Sequence, residues 1–465
     1  MCRLRRFFAL ILTVLAAVSL AVPLPVLAAE EPAADFDGYL VRLNETGEAD
    51  SLTLLGTDSC SEVSEGLCLV EDLDTVQAMD QLGLVEYYEP NYRLELLDAG
   101  EYTPTQWNLL ATNAQAAWEH TDAGGRFDAR GDGVTVAIID SGVWAEHTDF
   151  DQANILPYFD VAGTASGVDG WHGTFVAGVI AAQVGNGMGV DGVTPDVTIL
   201  PICVTKNGNA TVAHLVSAID YAVEQGVDVI NLSIGGNNAA QAMEEACRRA
   251  LDAGIILVAA AGNYKAGQTQ SSSIYMYPAS FDGVVSVSAC RQDGQQVVFD
   301  DSYSYFNDQV TVSAPGTDIQ SLYPDGGVAT REGTSFAAPM VTAMAAMAKQ
   351  RCPDITPEAF MQLLCASATD LGEPGYDIYY GHGLVDIAAF LEALDESFPA
   401  VPEICYFAQY AANGQILTVT QLPGGEADLE TVEIVDGAVL SKLFRLDDTG
   451  APLSEAQIIT LDPSN

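Results

Sequence analysis

Basic residues are scarce in this sequence. Its 465 residues include 17 lysines and arginines against 64 aspartates and glutamates, which gives a formal net charge of -47 at pH 7. A protein that binds nucleic acid neutralises the phosphates with clustered lysines and arginines. A chain this acidic repels the phosphates instead. The composition therefore excludes nucleic acid as a partner and indicates a well-solvated surface.

Cysteine pairs with metal-ligand spacing are also missing. None of the nine cysteines stands in a C-x-x-C motif, so the sequence does not indicate a cysteine metal site. Cys2, Cys60 and Cys68 fall in N-terminal segments that we separate from the main domain below. The sequence does not assign disulfide partners among the remaining six cysteines, which are Cys203, Cys247, Cys290, Cys352, Cys365 and Cys405.

Long apolar runs are limited to the N-terminus. Three arginines between positions 3 and 6 precede an apolar run over residues 7–22, and the small-residue pattern Val-Leu-Ala ends at Ala28. This pattern predicts a secretory signal peptide over residues 1–28; an uncleaved membrane anchor is the alternative. No other segment reaches spanning length, so we expect a secreted or cell-surface protein with no membrane span after signal cleavage.

The rest of the chain divides into three parts by its patterns. Residues 29–100 contain a strand pattern, a helical stretch and a second strand pattern, which predict a small α+β unit. Residues 101–396 alternate buried-type strands with helical stretches. Residues 397–465 begin with a linker containing Pro399 and Pro402, and alternating residues then predict strands at 415–420 and 431–435 of a small β-rich C-terminal module.

The middle part predicts an α/β fold with a doubly wound, mostly parallel sheet. Near-continuous apolar runs are typical of strands whose two faces are both covered by helices. Helical stretches over 211–225 and 238–253 end at Gly226 and Gly254. The predicted strands cover residues 134–140, 198–204, 227–233, 255–260, 284–289 and 310–314.

Three short motifs supply an acid, a base and a nucleophile. Asp140 ends an apolar strand in Asp-Ser-Gly, His172 precedes an apolar helical run in His-Gly-Thr, and Ser335 opens a helix in Gly-Thr-Ser-Phe-Ala-Ala-Pro. Acyl transfer by a serine needs an imidazole to take its proton and a carboxylate to orient that imidazole. Taken singly, Asp140 fits a turn cap and Ser335 a helix cap, but the three motifs together indicate serine-dependent acyl transfer.

The order Asp, His, Ser along the chain resembles that of the subtilisin-like serine peptidases. The resemblance covers roughly residues 37–394 and implies a secreted serine endopeptidase, with a subtilisin-like catalytic domain at 101–396. It also implies that residues 29–100 are a propeptide that guides folding, inhibits the enzyme intramolecularly and is cut at a junction near residues 96–106. Peptides and proteins are the implied substrates, and the chemistry needs no cofactor.

The same resemblance assigns further site residues. Asn263, which ends Ala-Ala-Ala-Gly-Asn, would be the second oxyanion donor beside the Ser335 N–H. Met276 would lie near the floor of the primary pocket and favour small or medium apolar side chains. An extended strand that pairs with the substrate and the opposite wall of the pocket would be formed by Ser233, Ile234, Gly235, Gly236, Ala260 and Gly262.

Asp149 and Asn186, the latter in a Gly-rich loop over residues 184–190, resemble a structural calcium site; a tight metal-free turn is the alternative. Phe336 stands where relatives often carry methionine, which predicts resistance to peroxide. Two other functions stay open: a non-catalytic binding scaffold, and a protease limited to self-processing and one dedicated partner.

Overall fold

The computed structural model describes residues 36–44, 60–96, 100–101, 106–120, 128–164, 166–265, 267–398, 404–413, 415–422, 440–446 and 457–459. The predicted signal peptide and the predicted strand at 431–435 lie outside these residues. The strands are β1 (Phe36–Leu43), β2 (Cys60–Ser64), β3 (Leu67–Val70), β4 (Val85–Leu96), β5 (Gly100–Glu101), β6 (Thr135–Asp140), β7 (Phe159–Asp160), β8 (Thr198–Cys203), β9 (Ala210–Thr211), β10 (Val229–Leu232), β11 (Ile234–Gly235), β12 (Ile256–Ala260), β13 (Val285–Asp293), β14 (Gln296–Phe299), β15 (Val312–Pro315), β16 (Ile319–Leu322), β17 (Val328–Glu332), β18 (Ile404–Tyr410), β19 (Ile416–Leu422), β20 (Leu440–Leu446) and β21 (Gln457–Ile459). The helices are α1 (Leu73–Gln81), α2 (Trp107–Ala111), α3 (Gln115–Glu119), α4 (His172–Ala181), α5 (Val212–Glu224), α6 (Gln241–Asp252), α7 (Thr334–Arg351), α8 (Pro357–Ser367) and α9 (Ile387–Ser397), with a short 3-10 turn at Gln152–Asn154.

An eight-stranded sheet forms the centre of the molecule. Its strand order is β14-β13-β12-β10-β6-β8-β7, with β15 also paired to β13. Every pair is parallel except β13 with β14. Strands such as β12 are buried along their whole length, as expected for a sheet covered on both faces. The predicted α/β fold with a doubly wound, mostly parallel sheet is confirmed.

Helices cover both faces of this sheet. Ile138 of β6 belongs to the core cluster that contains α4 and α7, whereas its neighbour Ile139 belongs to the cluster that contains α5 and α6. Successive strand residues point to opposite faces, so one apolar run supplies both cores. Among the described residues, no helix combines the length and apolar character needed to span a bilayer.

Residues 37–96 form the predicted α+β arrangement, which we call the N-terminal unit. Its strands follow the order β4-β1-β3-β2, and β4 continues the same sheet onto β11. Asp72 caps α1 by accepting a hydrogen bond from the Thr75 amide at 2.8 Å. We call residues 106–398 the central body.

Two smaller sheets complete the fold. β16, β17 and β5 form a three-stranded antiparallel sheet beside the start of α7. The C-terminal strands form a four-stranded sheet in the order β19-β18-β20-β21, and all three pairs are antiparallel. The predicted β-rich C-terminal region is therefore present.

Candidate active site

The carboxyl end of β6 places Asp140 beside the first residue of α4. The His172 Nδ1 atom lies 2.9 Å from both carboxylate oxygens of Asp140. The Ser141 amide also donates to Asp140 Oδ1 at 2.6 Å, and the Gly173 amide donates to the Ser141 hydroxyl at 3.0 Å. These contacts hold the imidazole with its Nδ1–H toward the carboxylate.

Gly173 is required for this close contact. A Cβ atom at residue 173 would lie 2.3 Å from the Gly142 carbonyl oxygen and 3.1 Å from Asp140. Any larger residue would push the start of α4 away from β6. The glycine of the His-Gly-Thr motif therefore sets the distance between acid and base.

The second imidazole nitrogen of His172 is left for chemistry. His172 is 2% exposed, and its Nε2 atom has no hydrogen-bond partner among the described residues. The Trp171 and Phe336 rings flank the imidazole, with centroids 5.5 Å and 5.4 Å away. A buried nitrogen that accepts nothing from the fold is suited to accept a proton from a neighbouring hydroxyl.

Ser335 is the second residue of α7 and directly precedes Phe336, whose ring contacts His172. Its hydroxyl donates to the Ser233 carbonyl at 3.2 Å, and the Ser233 hydroxyl donates to the Ser335 carbonyl at 2.9 Å. The fold therefore brings Asp140 and His172 into direct hydrogen bonding and places Ser335 on the adjacent element. No hydrogen bond joins Ser335 to His172 Nε2 in the described structure, and hydrogen bonds between a nucleophile and its base often tighten only with substrate.

Asn263 lies just after β12 with its amide orientation fixed by the start of α7. Its Oδ1 atom accepts hydrogen bonds from the Thr334 amide at 3.1 Å and the Thr334 hydroxyl at 2.9 Å. Its Nδ2 atom is buried without a partner among the described residues. A buried N–H donor left unused is costly unless a ligand or intermediate satisfies it, and the first turn of α7 adds further N–H groups nearby.

The predicted substrate strand is already paired with another part of the chain. In β11, Ile234 lies opposite Leu96 and Gly235 opposite Glu95, both from β4, in antiparallel register. Gly236 exchanges two backbone hydrogen bonds with Tyr277, at 2.9 Å and 2.8 Å. The edge of β11 therefore binds an extended segment by strand addition.

Met276 lies between the two predicted pocket walls. It is completely buried. A Cβ atom on Gly235 would lie 2.9 Å from its Sδ atom, and one on Gly262 would lie 2.9 Å from its Cε atom. Gly262 also has a φ of +110°, and it follows Ala260 and Ala261 at the end of β12. The methionine side chain thus fills space between Gly235 and Gly262.

Comparison with known proteins agrees with this geometry. Residues 131–383 match the model of the subtilase family, which covers more than half of the chain. This chain belongs to the subtilase family. Subtilases are serine endopeptidases, and a subtilase needs no cofactor for catalysis.

Several subtilases resemble the chain over long stretches. It is 31% identical to the minor extracellular protease Epr of Bacillus subtilis (strain 168), over 82% of this chain and 59% of that protein. It is 36% identical to subtilisin DY of Bacillus licheniformis, over 56% of this chain and 91% of that protein. The chain thus spans less than two thirds of the Epr protease.

A solved structure supports the fold. The crystal structure of fervidolysin from Fervidobacterium pennivorans, described as a keratinolytic enzyme related to subtilisin, aligns with a TM-score of 0.68 and 24% identity. The alignment covers 90% of this chain and 73% of that one.

The Glu-Pro-Asn run of this subtilase has a role that sequence reasoning missed. Both oxygens of Glu89 accept backbone hydrogen bonds at 2.7 Å from Gln241 and Ala242, at the start of α6. Asn91 accepts one at 2.9 Å from Ala213, at the start of α5. Burial raises the pKa of Glu89. An acidic and an amide residue flanking a proline, ahead of two helices that need caps, was the available signal.

The residues of the predicted calcium site pair with each other. Asn186 Nδ2 donates to Asp149 Oδ1 at 2.5 Å, and the Val190 amide donates to Asp149 Oδ2 at 2.9 Å. The Oδ1 atom of the Asn186 side chain accepts a hydrogen bond from the Met188 amide at 2.8 Å. A calcium ligand set needs converging oxygen lone pairs, but here N–H groups face both carboxylate oxygens. In this arrangement the residues do not fit a calcium ion, and the metal-free turn is favoured.

The placed cysteines have unreactive environments. Burial raises the pKa of Cys203 to about 11 and the pKa values of Cys247 and Cys290 to about 12. The thiolate is the reactive form, so these side chains act as small apolar residues.

Proposed function

We propose that this subtilase cleaves peptide bonds with Asp140, His172 and Ser335 as its triad. The observation that supports this most strongly is the imidazole of His172, which binds a buried carboxylate through Nδ1 while its buried Nε2 has no partner in the described part of the chain. Such an arrangement has little structural benefit, because an unsatisfied buried nitrogen costs free energy. It suits a general base beside a serine.

The reaction then follows from these positions. His172 Nε2 takes the proton of Ser335 Oγ as that oxygen bonds to the substrate carbonyl carbon, and Asp140 stabilises the resulting imidazolium. The imidazolium gives its proton to the leaving amine as the peptide C–N bond breaks, which leaves an acyl-enzyme. A water, deprotonated by His172, attacks the ester and releases the carboxylic acid and Ser335.

Asn263 would stabilise the oxyanion of both tetrahedral intermediates. Its Nδ2–H groups have no other partner among the described residues, and Thr334 fixes the opposite end of the amide. A donor held in place before the reaction needs no reorganisation when the negative charge forms.

Substrates would bind as an added strand on Ile234 and Gly235, with Ser233 and Gly236 at its ends. Met276 between Gly235 and Gly262 supports a shallow primary pocket, walled on the other side by Ala260 and suited to small or medium apolar side chains. A cleavage profile dominated by arginine or phenylalanine at this position would contradict the proposal.

Residues 29–100 would act as a propeptide and intramolecular inhibitor of a catalytic domain at 101–396. The pairing of β4 with β11 supports this, since the unit's last strand occupies the edge on which a substrate would lie. Residues 397–465 would form a separate linker and β-rich module.

Self-processing would cut a bond between Leu96 and Gly100. Leu96 lies opposite Ile234 of β11, and Gly100 lies opposite Glu332 of β17, three residues before Ser335. A cut here would separate the strand paired with β11 from the strand paired with β17. N-terminal sequencing of the mature enzyme checks the assignment; a start beyond Gly100 would contradict it.

Secretion remains part of the proposal through the signal peptide at residues 1–28, which gives a secreted or cell-surface enzyme. The turn at Asp149 and Asn186 would be metal-free, because N–H groups face both carboxylate oxygens there. Thermal unfolding with and without a chelator tests it: an unchanged midpoint supports the turn, and a large drop supports calcium.

A non-catalytic scaffold would not need the unpaired nitrogens of His172 and Asn263. A protease limited to self-processing and one partner would keep them, so only activity separates it from a general peptidase. Wild type and Ser335→Ala are therefore expressed side by side, with the exposed-residue variant Ser273→Ala as a control. We expect two bands and casein clearing from wild type and the control, and one uncleaved band from Ser335→Ala. Self-cleavage without casein clearing would favour the restricted protease. The absence of both self-cleavage and casein clearing from wild type would favour the scaffold.

A further inference from the structure

One cation is fixed beside the cleft of this acidic protein. Arg331 of β17 is 8% exposed, and its guanidinium carbon lies 4.7 Å from the centre of the Trp171 ring and 5.4 Å from that of Tyr323. Its Nη1 atom donates to the Thr330 carbonyl at 2.9 Å. A guanidinium held against two aromatic faces keeps one orientation.

The position of Arg331 relates it to both proposed catalytic groups. Trp171 directly precedes His172, and their ring centroids are 5.5 Å apart. The strand that carries Arg331 ends at Glu332 and leads through Gly333 to the helix that contains Ser335. The cation therefore lies at the edge of the reaction centre.

The backbone of β17 already binds an extended segment. β5 pairs with it in antiparallel register, with Glu101 opposite Arg331 and Gly100 opposite Glu332. The segment paired with β11 ends at Leu96, and the segment paired with β17 starts at Gly100. β17 therefore lies on the leaving-group side of any bond that is cut between these two segments. Directly opposed residues of an antiparallel pair are neighbours, and here the sequence places a glutamate opposite the arginine.

We propose that Arg331 selects an acidic residue on the leaving side of a substrate that pairs with β17. The inference rests on the proposed function and names a substrate class for the same cleft: peptides with aspartate or glutamate a few residues after the cut. A surface with net charge -47 repels such peptides. A fixed guanidinium beside the leaving strand provides the local attraction that they need.

The test uses the mature enzyme and quenched peptides of one sequence. A single glutamate replaces glutamine at each leaving-side position in turn, and an acyl-side glutamate serves as the substrate control. We expect one leaving-side position at which glutamate raises kcat/KM about tenfold, chiefly through a lower KM, as one charge-assisted contact does. The acyl-side substitution should bring no gain.

Enzyme variants assign the effect to the arginine. Arg331→Gln should lose the glutamate preference, Arg331→Lys should keep part of it, and Arg248→Gln, an equal charge change at an exposed residue of α6, should keep all of it. The readout is a ratio within each enzyme, so a general loss of activity in Arg331→Gln does not disturb it.

Equal cleavage of the glutamate and glutamine peptides by wild type would overturn this inference alone, as would a preference that survives in Arg331→Gln. Absence of any cleavage by wild type would overturn the proposed function and this inference together.

Discussion

The N-terminal unit and the central body differ in how they are stabilised. The central body has two large buried clusters, one on each face of its sheet. Among its described residues, the N-terminal unit has a separate core of six buried side chains: Val41, Leu43, Cys68, Val70, Val76 and Met79. Its Leu40, Leu67 and Leu94 belong instead to the cluster of α5 and α6. A unit of this size buries a small fraction of its surface, so we expect it to be only marginally stable without the body.

Dependence also runs in the other direction, at one helix. The N-cap residue of α5, Thr211, accepts a hydrogen bond from the His214 amide, but the N-cap of α6 is Ala240, which has no side-chain acceptor. Glu89 of the N-terminal unit supplies the missing cap. The comparison shows that Asp140, His172 and Ser335 all lie in the body, whereas Glu89 of the N-terminal unit contacts the start of α6.

Among substitutions in the two regions, we expect the largest effect on activity at Asp140 of the central body. Asp140→Asn should lower kcat by about 10⁴-fold, because an amide favours the wrong imidazole tautomer; the magnitude comes from a serine protease of another fold. The thermal midpoint of the full chain should change little. Active-site titration with steady-state kinetics measures it, and near-normal kcat would remove Asp140 from the triad.

Asn263 should have the next largest effect. Asn263→Ala removes the oxyanion donor and should lower kcat by about 10²- to 10³-fold with KM almost unchanged; the magnitude is that measured for the corresponding donor in subtilisin. Thr334→Val, which removes one of the two hydrogen bonds that orient the Asn263 amide, should cost less. A rise in KM at constant kcat would instead assign Asn263 to substrate binding.

Met276 affects selectivity within the body. Met276→Gly should open the space between Gly235 and Gly262, and the kcat/KM ratio for phenylalanine over alanine at the primary position should rise roughly tenfold. Met243→Leu, a buried change in α6 away from the cleft, is the control. An unchanged ratio would mean that Met276 does not limit the pocket.

Glu89 should affect the contact between the regions and not the chemistry. In a Ser335→Ala background, Glu89→Ala should lower the stability of the full chain by about 1 kcal/mol through the lost cap, whereas exposed Glu86→Ala should not. Denaturant unfolding of the full chain measures both. Equal losses in the two variants would exclude the capping role.

The same residue predicts a pH dependence. Burial raises the pKa of Glu89 in the folded state, so protonation of Glu89 contributes to the free energy of unfolding. This contribution is complete below the unfolded pKa and is lost as the pH rises through the folded pKa. Glu89→Gln should flatten the pH dependence of stability in that range, and an unchanged slope would contradict the assignment.

The smallest expected effect concerns Phe336, because we expect the activity of the wild-type enzyme to stay unchanged after peroxide treatment. Phe336 follows the nucleophile and contacts the His172 ring at a centroid distance of 5.4 Å. A phenylalanine there cannot form a sulfoxide, so activity should survive a peroxide treatment that inactivates Phe336→Met. Equal loss in both enzymes would point to another oxidisable residue.

The six strands β6, β8, β10, β12, β13 and β15, the helices α5 and α6 and the three motifs could be predicted from the sequence, whereas β14, β16 and β17 were not predicted. Asp140, His172 and Ser335 each stand at the end of a strand or the start of a helix, where local patterns are strongest. The roles of Glu89 and Thr334 could not be predicted, since their partners lie about 150 and 70 residues away in the chain. The Asn186–Asp149 pairing likewise depends on which end of an amide faces the carboxylate, and no sequence pattern encodes that.

The sequence by itself determined the alternation of strands and helices and the residue types of the site, because apolar periodicity and short motifs are local properties. Only the tertiary structure decided which atoms are satisfied and which are left over. His172 Nε2 and Asn263 Nδ2 lack partners among the described residues because segments far apart in the chain pack around them and bind their other ends. The placement of β4 on β11 and β5 on β17 has the same origin, since strand pairing over such separations depends on the whole fold.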